Sequence, residues 1–267
     1  MTTYSAAGPT LHDVLGLDRV GEDLFRSRLL YPDDKALYGG QIAAQALVAA
    51  GRTVPENRAP NSLHLYYLRG GAASRPTEFR VQRDRDGRTF SARRVVVVQD
   101  AKVIATASCS FGVPASGPDV QVAKAPEVPG DPEDFPVYPA PRMFGLDCRL
   151  PPDGHSTEWP TRFWARAVDL PAGDALTEAA TLTYLSDRSN ALGALDLGVR
   201  MIPASLDHAI WFHRRVDLSA WMLMDLVPHT LAAERLWYTG TIHDRNGALA
   251  ASLAQELLTR PRPASPA

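Results

Sequence analysis

The sequence predicts an α+β fold of two similar halves, and three observations lead to this prediction. An alanine-rich segment at residues 41–50 has the composition of a buried helix and is followed by several strand-like runs. Eleven of the 22 prolines then fall within residues 114–160. After this stretch the pattern of one helix and several strands begins again. We therefore expect a helix and an antiparallel sheet on each side of a linker.

The first half begins with a short helix and a strand within residues 11–28. The Gly39–Gly40 pair comes next, and we interpret it as a sharp turn because glycine tolerates tight backbone conformations. The alanine-rich helix follows, with Gly51 as its expected end. Strand-like runs come after it at residues 62–69, 77–83, 90–99 and 103–111, and the last two are rich in Val, Ile and Thr.

Residues 114–160 differ in character from both flanking regions. Proline at this density disfavours both helix and sheet, so a linker over the surface is expected. A linker of this length usually joins two units. The predicted organisation is an N-terminal unit over residues 1–113, the linker over 114–160, and a C-terminal unit over 161–267.

The second half repeats the order of the first. Residues 176–185 read as a helix that ends near Asp187, and Asp244–Gly247 reads as a hairpin turn because it contains Asn-Gly. Strand-like runs occur at residues 163–168, 204–215, 221–226, 235–243 and 249–259.

Short matches indicate that the halves are a diverged internal repeat. Ser62 aligns with Ser205 at an offset of 205 − 62 = 143, and Ser108 aligns with Ser252 at an offset of 252 − 108 = 144. These offsets place Ala44 opposite Asp187 and Phe111 opposite Gln255. The first half then lacks the acid, so one active site per chain is expected.

Composition and charge exclude several classes of function. The formal net charge of -2 gives no field that would favour nucleic acid or an anionic membrane. The chain has no uninterrupted apolar run of about 18 residues, and its N-terminus does not resemble a signal peptide. Cys109 and Cys148 form no C-x-x-C pair, which argues against a disulfide framework and a zinc site. We expect a cytoplasmic protein without a metal.

Five stretches together carry a resemblance to a known family. They are Tyr38-Gly39-Gly40-Gln41, Tyr67-Leu68-Arg69-Gly70, residues 90–95, residues 206–214 and residues 247–256. The combination resembles the bacterial acyl-CoA thioesterase II family, a double-hotdog family. The resemblance implies two antiparallel sheets, each wrapped around a long central helix. It also implies hydrolysis of fatty acyl-CoA to free fatty acid and CoA without a cofactor. Because hotdog sheets have edges that can pair, we expect a homodimer or higher homo-oligomer.

The resemblance also implies three catalytic residues. The family's acid falls on Asp187, its hydroxyl residue on Ser205, where threonine is usual, and its glutamine on Gln255. An acid can accept a proton from water, while a hydroxyl and an amide can orient that water. No residue is assigned to substrate binding, and the acyl chain length is not predicted.

Other interpretations remain open at this stage. Asp187 could be a helix C-terminal or loop acid paired with Arg188 or another basic residue, and Gln255 could be a structural amide. The adjacent Asp207 and His208 look like a catalytic pair, but neighbouring strand residues point to opposite faces, so we do not assign them to the site. Alternative functions are a non-catalytic acyl-CoA-binding hotdog protein and, less favoured, a hotdog enoyl-CoA hydratase. A hydratase needs an acid and a histidine on one active-site loop, and neither helix is followed by such a pair.

Overall fold

The structure, a computed structural model, describes residues 9–31, 35–139, 143–154, 156, 158–168, 173–197 and 201–261. The helices in these ranges are α1 (Leu11–Leu15), α2 (Gly39–Gly51) and α3 (Ala175–Ser186). The strands of the first half are β1 (Leu17–Gly21), β2 (Leu24–Ser27), β3 (Ala59–Tyr67), β4 (Glu78–Asp86), β5 (Phe90–Gln99) and β6 (Lys102–Gly112). The other strands are β7 (Leu146–Arg149), β8 (Arg162–Ala167), β9 (Met201–Ser205), β10 (Asp207–Phe212), β11 (Met222–Ala232), β12 (Arg235–Asp244) and β13 (Leu249–Pro261).

Helix α2 is buried along almost its whole length, as its alanine-rich sequence predicts. The sharp turn expected at Gly39–Gly40 is wrong, because both residues belong to the first turn of this helix. Glycine is required here for close approach. A Cβ atom on Gly40 would lie 2.7 Å from the Tyr184 carbonyl oxygen and 2.7 Å from the Tyr38 ring.

Helix α3 begins and ends within two residues of the sequence prediction. The Asp174 carboxylate caps its start by accepting a hydrogen bond from the Thr177 N–H at 2.7 Å, and Asp187 follows its last turn. The Gly51 end of α2 lies against Leu176, while the Gly39 end lies against Asp187. The two helices therefore pack antiparallel, so that the end of α3 meets the start of α2. None of the helices in the described ranges is long and apolar enough to cross a lipid bilayer.

All thirteen strands in the described ranges belong to one antiparallel sheet. The first half contributes the order β1-β2-β4-β5-β6-β3, and the second contributes β10-β13-β12-β11-β8-β7, with β9 also paired to β13. Strands β3 and β10 join the halves, with Leu63 opposite Ile210 and Leu65 opposite His208. The two expected sheets are thus hydrogen-bonded into one. Helix α2 packs on the half formed by β3 to β6.

The linker contains more structure than its proline content indicates. Strand β7 lies within residues 114–160 and pairs with β8, so the expectation of no sheet there is wrong for Leu146–Arg149. Tyr138 and Cys148 are buried, and Val137 forms an isolated bridge to Arg149. Part of the linker is therefore packed into the fold.

The register of the strands revises the alignment of the two halves. Each half has an irregular step in the hairpin between its last two strands, after Val97 in β5 and after Ile242 in β12, which gives an offset of 242 − 97 = 145. Tyr238 then corresponds to Arg93. The residue paired with Tyr238 is Gln255, and the one paired with Arg93 is Cys109. Cys109, not Phe111, is therefore the counterpart of Gln255.

The helix ends also change the residue that corresponds to Asp187 in that alignment. Arg52 follows α2 as Asp187 follows α3, so Arg52 rather than Ala44 is the counterpart of the acid. Nearby, the Arg93 guanidinium is buried and donates to the Thr53 hydroxyl at 2.8 Å and to the Asp86 carboxylate at 2.8 Å and 2.9 Å. In the first half, the ion pair of Arg93 with Asp86 thus occupies the place that corresponds to the surroundings of Asp187.

Replacing Gly40 with alanine should destabilise the fold, although alanine is the better helix former by about 1 kcal/mol. The new methyl group would clash with the Tyr184 carbonyl, and overpacking of this kind costs about 1–3 kcal/mol. We expect Gly40→Ala to lower the free energy of unfolding measured in urea. Gly70→Ala is the control, because no atom lies within 4 Å of the added methyl group. Equal midpoints for the two variants would contradict the packing described here.

Candidate active site

The structure brings Asp187, Ser205 and Gln255 together from three separate elements. Asp187 caps the end of α3, Ser205 is the last residue of β9, and Gln255 lies within β13. The Gln255 amide nitrogen donates to Asp187 Oδ1 at 2.8 Å and to Ser205 Oγ at 2.8 Å. Ser205 was expected to lie at the start of the strand that continues to Arg215. It instead ends β9, and the chain bends at Leu206 before β10.

The Asp187 carboxylate lies at the N-terminus of α2. It accepts a hydrogen bond from the Gly40 N–H, and the partial positive charge of a helix N-terminus favours an anion there. Gly39 allows this approach, because a Cβ on that residue would lie 2.7 Å from Asp187 Oδ2. Gly40 therefore supplies a hydrogen-bond donor to the Asp187 carboxylate, and Gly39 leaves the space that the carboxylate occupies.

Burial raises the pKa of Asp187 above its ordinary value of 3.8. His208, the Gln255 amide, the Gly40 N–H and the Ser205 hydroxyl act in the opposite direction, because each stabilises the carboxylate. A carboxylate with a raised pKa is a stronger proton acceptor than an exposed one. The environment thus suits Asp187 to act as a base.

Two tyrosines surround the carboxylate. The Tyr38 hydroxyl donates to the Tyr184 carbonyl at 2.8 Å. The Tyr67 hydroxyl is buried and has no hydrogen-bond partner among the described residues, and a Cβ on Gly39 would lie 3.0 Å from it. Burial, reinforced by the charge of Asp187, raises the pKa of both tyrosines well above 10.0. Both hydroxyls therefore remain protonated, and that of Tyr67 is available as a donor.

A cavity of about 440 Å³ opens beside these groups. Its wall comes from the segment that leads into α2, from the linker, and from the residues that follow α3 and end β9. The lining residues are Tyr31, Ala36, Leu37, Tyr38, Gln41, Met143, Trp159, Asp187, Arg188, Asn190, Pro203 and Ser205. Asp187 and Ser205 reach this cavity, while Gln255 lies behind them with 1% of its surface exposed.

His208 and Tyr238 are the residues that the sequence interpretation missed. Both contact the Gln255 carbonyl oxygen: His208 Nδ1 at 2.8 Å and the Tyr238 hydroxyl at 2.5 Å. Asp207 points away from His208, as strand alternation predicts, and His208 lies behind the cavity in contact with Gln255 rather than in it. His208 shares the inward face of β10 with Ile210, and both are 0% exposed. A histidine two positions from a core isoleucine on one strand was the available signal.

The described residues contain no group of three or more His, Cys, Asp or Glu side chains arranged to hold a metal ion. Arg188, which lines the cavity, forms no ion pair with Asp187 among the described contacts. Its guanidinium instead lies over the Tyr138 ring at 3.9 Å and donates to the Pro139 carbonyl. The expected ion pair of Asp187 with Arg188 is therefore wrong, although Asp187 does lie at a helix C-terminus.

Comparison with known proteins identifies two matching family descriptions. The acyl-CoA thioesterase N-terminal domain matches residues 31–112, and the acyl-CoA thioesterase C-terminal domain matches residues 119–259. The acyl-coenzyme A thioesterase 8 of Rattus norvegicus is 31% identical over 94% of this chain and 88% of its own length.

Solved structures give the same result. The crystal structure of acyl-CoA thioesterase II TesB2 from Mycobacterium marinum matches with a TM-score of 0.81 and 32% identity, covering 94% of this chain and 98% of that one. A hot dog fold protein from Alicyclobacillus acidocaldarius matches with a TM-score of 0.78 at 20% identity, over 94% and 98% of the two chains. The latter similarity identifies the fold alone.

The burial of Asp187 gives a prediction for stability. Because its pKa is higher in the folded chain than its ordinary value of 3.8, the wild type should lose stability as pH rises from that value through the raised pKa. Asp187→Asn removes the charge and keeps the size of the side chain. The variant should therefore be more stable than the wild type in urea denaturation, by a margin that grows with pH over this range and then levels off. A margin independent of pH would contradict a raised pKa for Asp187.

Proposed function

Since the chain belongs to the acyl-CoA thioesterase II family, and is therefore a thioester hydrolase, we propose that it hydrolyses fatty acyl-CoA to free fatty acid and CoA at the cavity beside Asp187. One observation carries the location of the site. The Gln255 amide nitrogen donates at 2.8 Å to both Asp187 and Ser205, and these two residues reach the cavity wall. The three residues that the family resemblance assigns are thus in mutual contact.

In the proposed mechanism, Asp187 and Ser205 hold a water molecule against the thioester. The water oxygen attacks the carbonyl carbon while Asp187 accepts a proton from it. The tetrahedral oxyanion then collapses, the carbon–sulfur bond breaks, and the CoA sulfur takes up that proton. Gln255 does not contact the substrate in this mechanism. Its amide holds the Asp187 carboxylate and the Ser205 hydroxyl in position before substrate binds.

The oxyanion requires donors on the other side of the carbonyl carbon. Tyr67 has a neutral, buried hydroxyl adjacent to Gly39, but it does not line the cavity, so we assign it to support of the helix N-terminus rather than to contact with the oxyanion. The N-terminus of α2 adds a favourable potential at the same place. Both groups come from the first half of the chain, which would then contribute to a site whose acid, hydroxyl and amide come from the second.

We also propose the organisation expected from the sequence, with an N-terminal hotdog over residues 1–113, a linker over 114–160 and a C-terminal hotdog over 161–267. Each half of the sheet would wrap its own helix, and Arg52 and Cys109 at the counterpart positions support a single site per chain. A cytoplasmic location and a homodimer or higher homo-oligomer complete this proposal.

The geometry does not favour the hydratase alternative. His208 is the only histidine that touches the proposed catalytic residues within the described ranges, and it is 0% exposed. Its ring nitrogens contact Gln255 at 2.8 Å and Ser186 at 2.7 Å, so neither faces the cavity. A histidine that protonates or deprotonates substrate would need to reach it.

Replacing Asp187 with alanine should abolish most of the hydrolysis, because the attacking water loses its proton acceptor. Loss of a general base typically lowers turnover by about 100-fold to 10,000-fold. The measurement is release of free CoA thiol, detected with a thiol reagent, over acyl-CoAs from short to long chain. Asp196→Ala is the control, because Asp196 is an exposed acid that does not line the cavity. Near-normal turnover of Asp187→Ala would refute the assignment, and binding without thiol release by the wild type would favour the non-catalytic alternative.

Replacing Ser205 tests the role of the hydroxyl. Ser205→Ala leaves one hydrogen of the Gln255 amide and the water without their partner, so we expect kcat to fall by about 10- to 100-fold. Ser205→Thr keeps the hydroxyl and should retain activity within about 3-fold, since Ser205 is half-buried on the cavity wall and the change adds a single methyl group. Equal activity of the alanine and threonine variants would show that the hydroxyl has no catalytic role.

A further inference from the structure

The Gln255 side chain has a contact for every hydrogen-bonding group it carries. Its nitrogen faces Asp187 and Ser205, and its oxygen faces His208 Nδ1 at 2.8 Å and the Tyr238 hydroxyl at 2.5 Å. Gln255, His208 and Tyr238 are each 0–1% exposed. Water therefore does not substitute for any of these partners.

The chemistry of the amide determines where the hydrogens lie. An amide oxygen only accepts, so the two groups that face it must both donate. The Tyr238 hydroxyl has a single hydrogen and lies closer to Gln255 than to the Ser189 carbonyl, which is 3.2 Å away. His208 must then carry a hydrogen on Nδ1. Its other nitrogen contacts the Ser186 hydroxyl at 2.7 Å, and this contact forms with either a neutral or a protonated ring.

The orientation of the amide has two independent determinants. While Asp187 is ionised, its carboxylate repels an amide oxygen and so favours the nitrogen at that position. Once Asp187 has accepted a proton from the attacking water, its carboxyl group can both donate and accept and no longer distinguishes the two ends of the amide. In that interval only the donors on the opposite side remain to prevent a flip.

We propose that His208, together with Tyr238, is a positioning residue that keeps the Gln255 amide nitrogen directed at Asp187 and Ser205 through the step in which Asp187 is protonated. This role rests on the proposed function. Ser186, in the last turn of α3, in turn holds His208, because its hydroxyl contacts both His208 Nε2 and the Thr183 carbonyl. The acid, the amide and the histidine are thereby connected to the same helix end.

Two replacements of His208 test the contacts of its two ring nitrogens separately. In His208→Asn the amide nitrogen takes the position of Nδ1 and keeps a donor towards Gln255. In His208→Gln the amide lies further out, towards Ser186, and the Gln255 oxygen loses this donor. We expect kcat to fall by about 10- to 100-fold in the Gln variant, with KM changed less than about 3-fold, and the Asn variant to retain most of the activity.

The pH profile gives a second readout that a packing defect would not produce. Both variants lose the charge of His208, which lowers the pKa of Asp187, and only His208→Gln also leaves the Gln255 amide disordered. Because a disordered amide stabilises the Asp187 carboxylate less, the acidic limb of kcat/KM should move further to higher pH in His208→Gln than in His208→Asn. The other ionisable groups near Asp187 are Tyr38, Tyr67 and Tyr238, together with Arg188 on the same cavity wall, and all are common to both variants. Burial raises the pKa of each of these tyrosines, so they do not titrate in the acidic range.

Three further variants make the test specific. In a Gln255→Ala background, adding His208→Gln should cause no additional loss, because His208 acts through Gln255; a further loss would indicate a merely structural role. Tyr238→Phe removes the other donor to the same oxygen and should reproduce the effect of His208→Gln. It therefore still tests the inference if His208→Gln folds poorly. His213→Gln is the control, since His213 is exposed and contacts Ser252 away from the site.

The outcomes distinguish this inference from the function on which it rests. The positioning role alone would be overturned if His208→Asn and His208→Gln were equally active while the wild type hydrolysed acyl-CoA and Asp187→Ala did not. A loss in His213→Gln comparable to that in His208→Gln would also overturn it. A wild type without activity on any acyl-CoA would overturn the proposed function and this role with it.

Discussion

The contact between the buried Asp187 carboxylate and the Gln255 amide is the interaction on which the rest of the site depends. An unpaired carboxylate is costly to bury, and here the cost is offset by donors from Gln255, Ser205 and the Gly40 N–H. In the proposed mechanism, the same balance keeps the carboxylate stabilised while its pKa stays above the ordinary value, as a proton acceptor requires. Loss of any one donor would shift that balance towards the neutral acid.

The contact in turn requires both halves of the chain. Asp187 ends α3, and its partner N–H begins α2, so the helices must pack antiparallel with their ends aligned. Pairing of β3 with β10 fixes the first half against the second, and it brings Tyr67 of β3 to the same place. Neither half contains all of these groups, so the site forms only when the two are joined.

Much of this could be predicted from the sequence. The α2 and α3 helices and most strands lie within a few residues of their predicted bounds, because the alanine-rich composition, the alternating strands and the Asn-Gly turn are local signals. Asp187, Ser205 and Gln255 followed from family resemblance, since their spacing alone carries no signal. The role of Gly39–Gly40, strand β7 and the contacts of His208 could not be predicted, because each depends on a neighbour distant in sequence. The alignment of the two halves by short identities differs from the one that strand register and helix ends give, because register depends on pairing between strands.

The buried Arg93 ion pair has a consequence for how the two halves diverged. In an assembly of two identical halves, any side chain that serves one end must be tolerated at the other. Covalent joining removes that requirement, so a guanidinium clamped by Thr53 and Asp86 can occupy the place where the second half carries Tyr238. The two halves of one chain can therefore carry different side chains at equivalent places, an ion pair in the first and the contacts of Gln255 in the second.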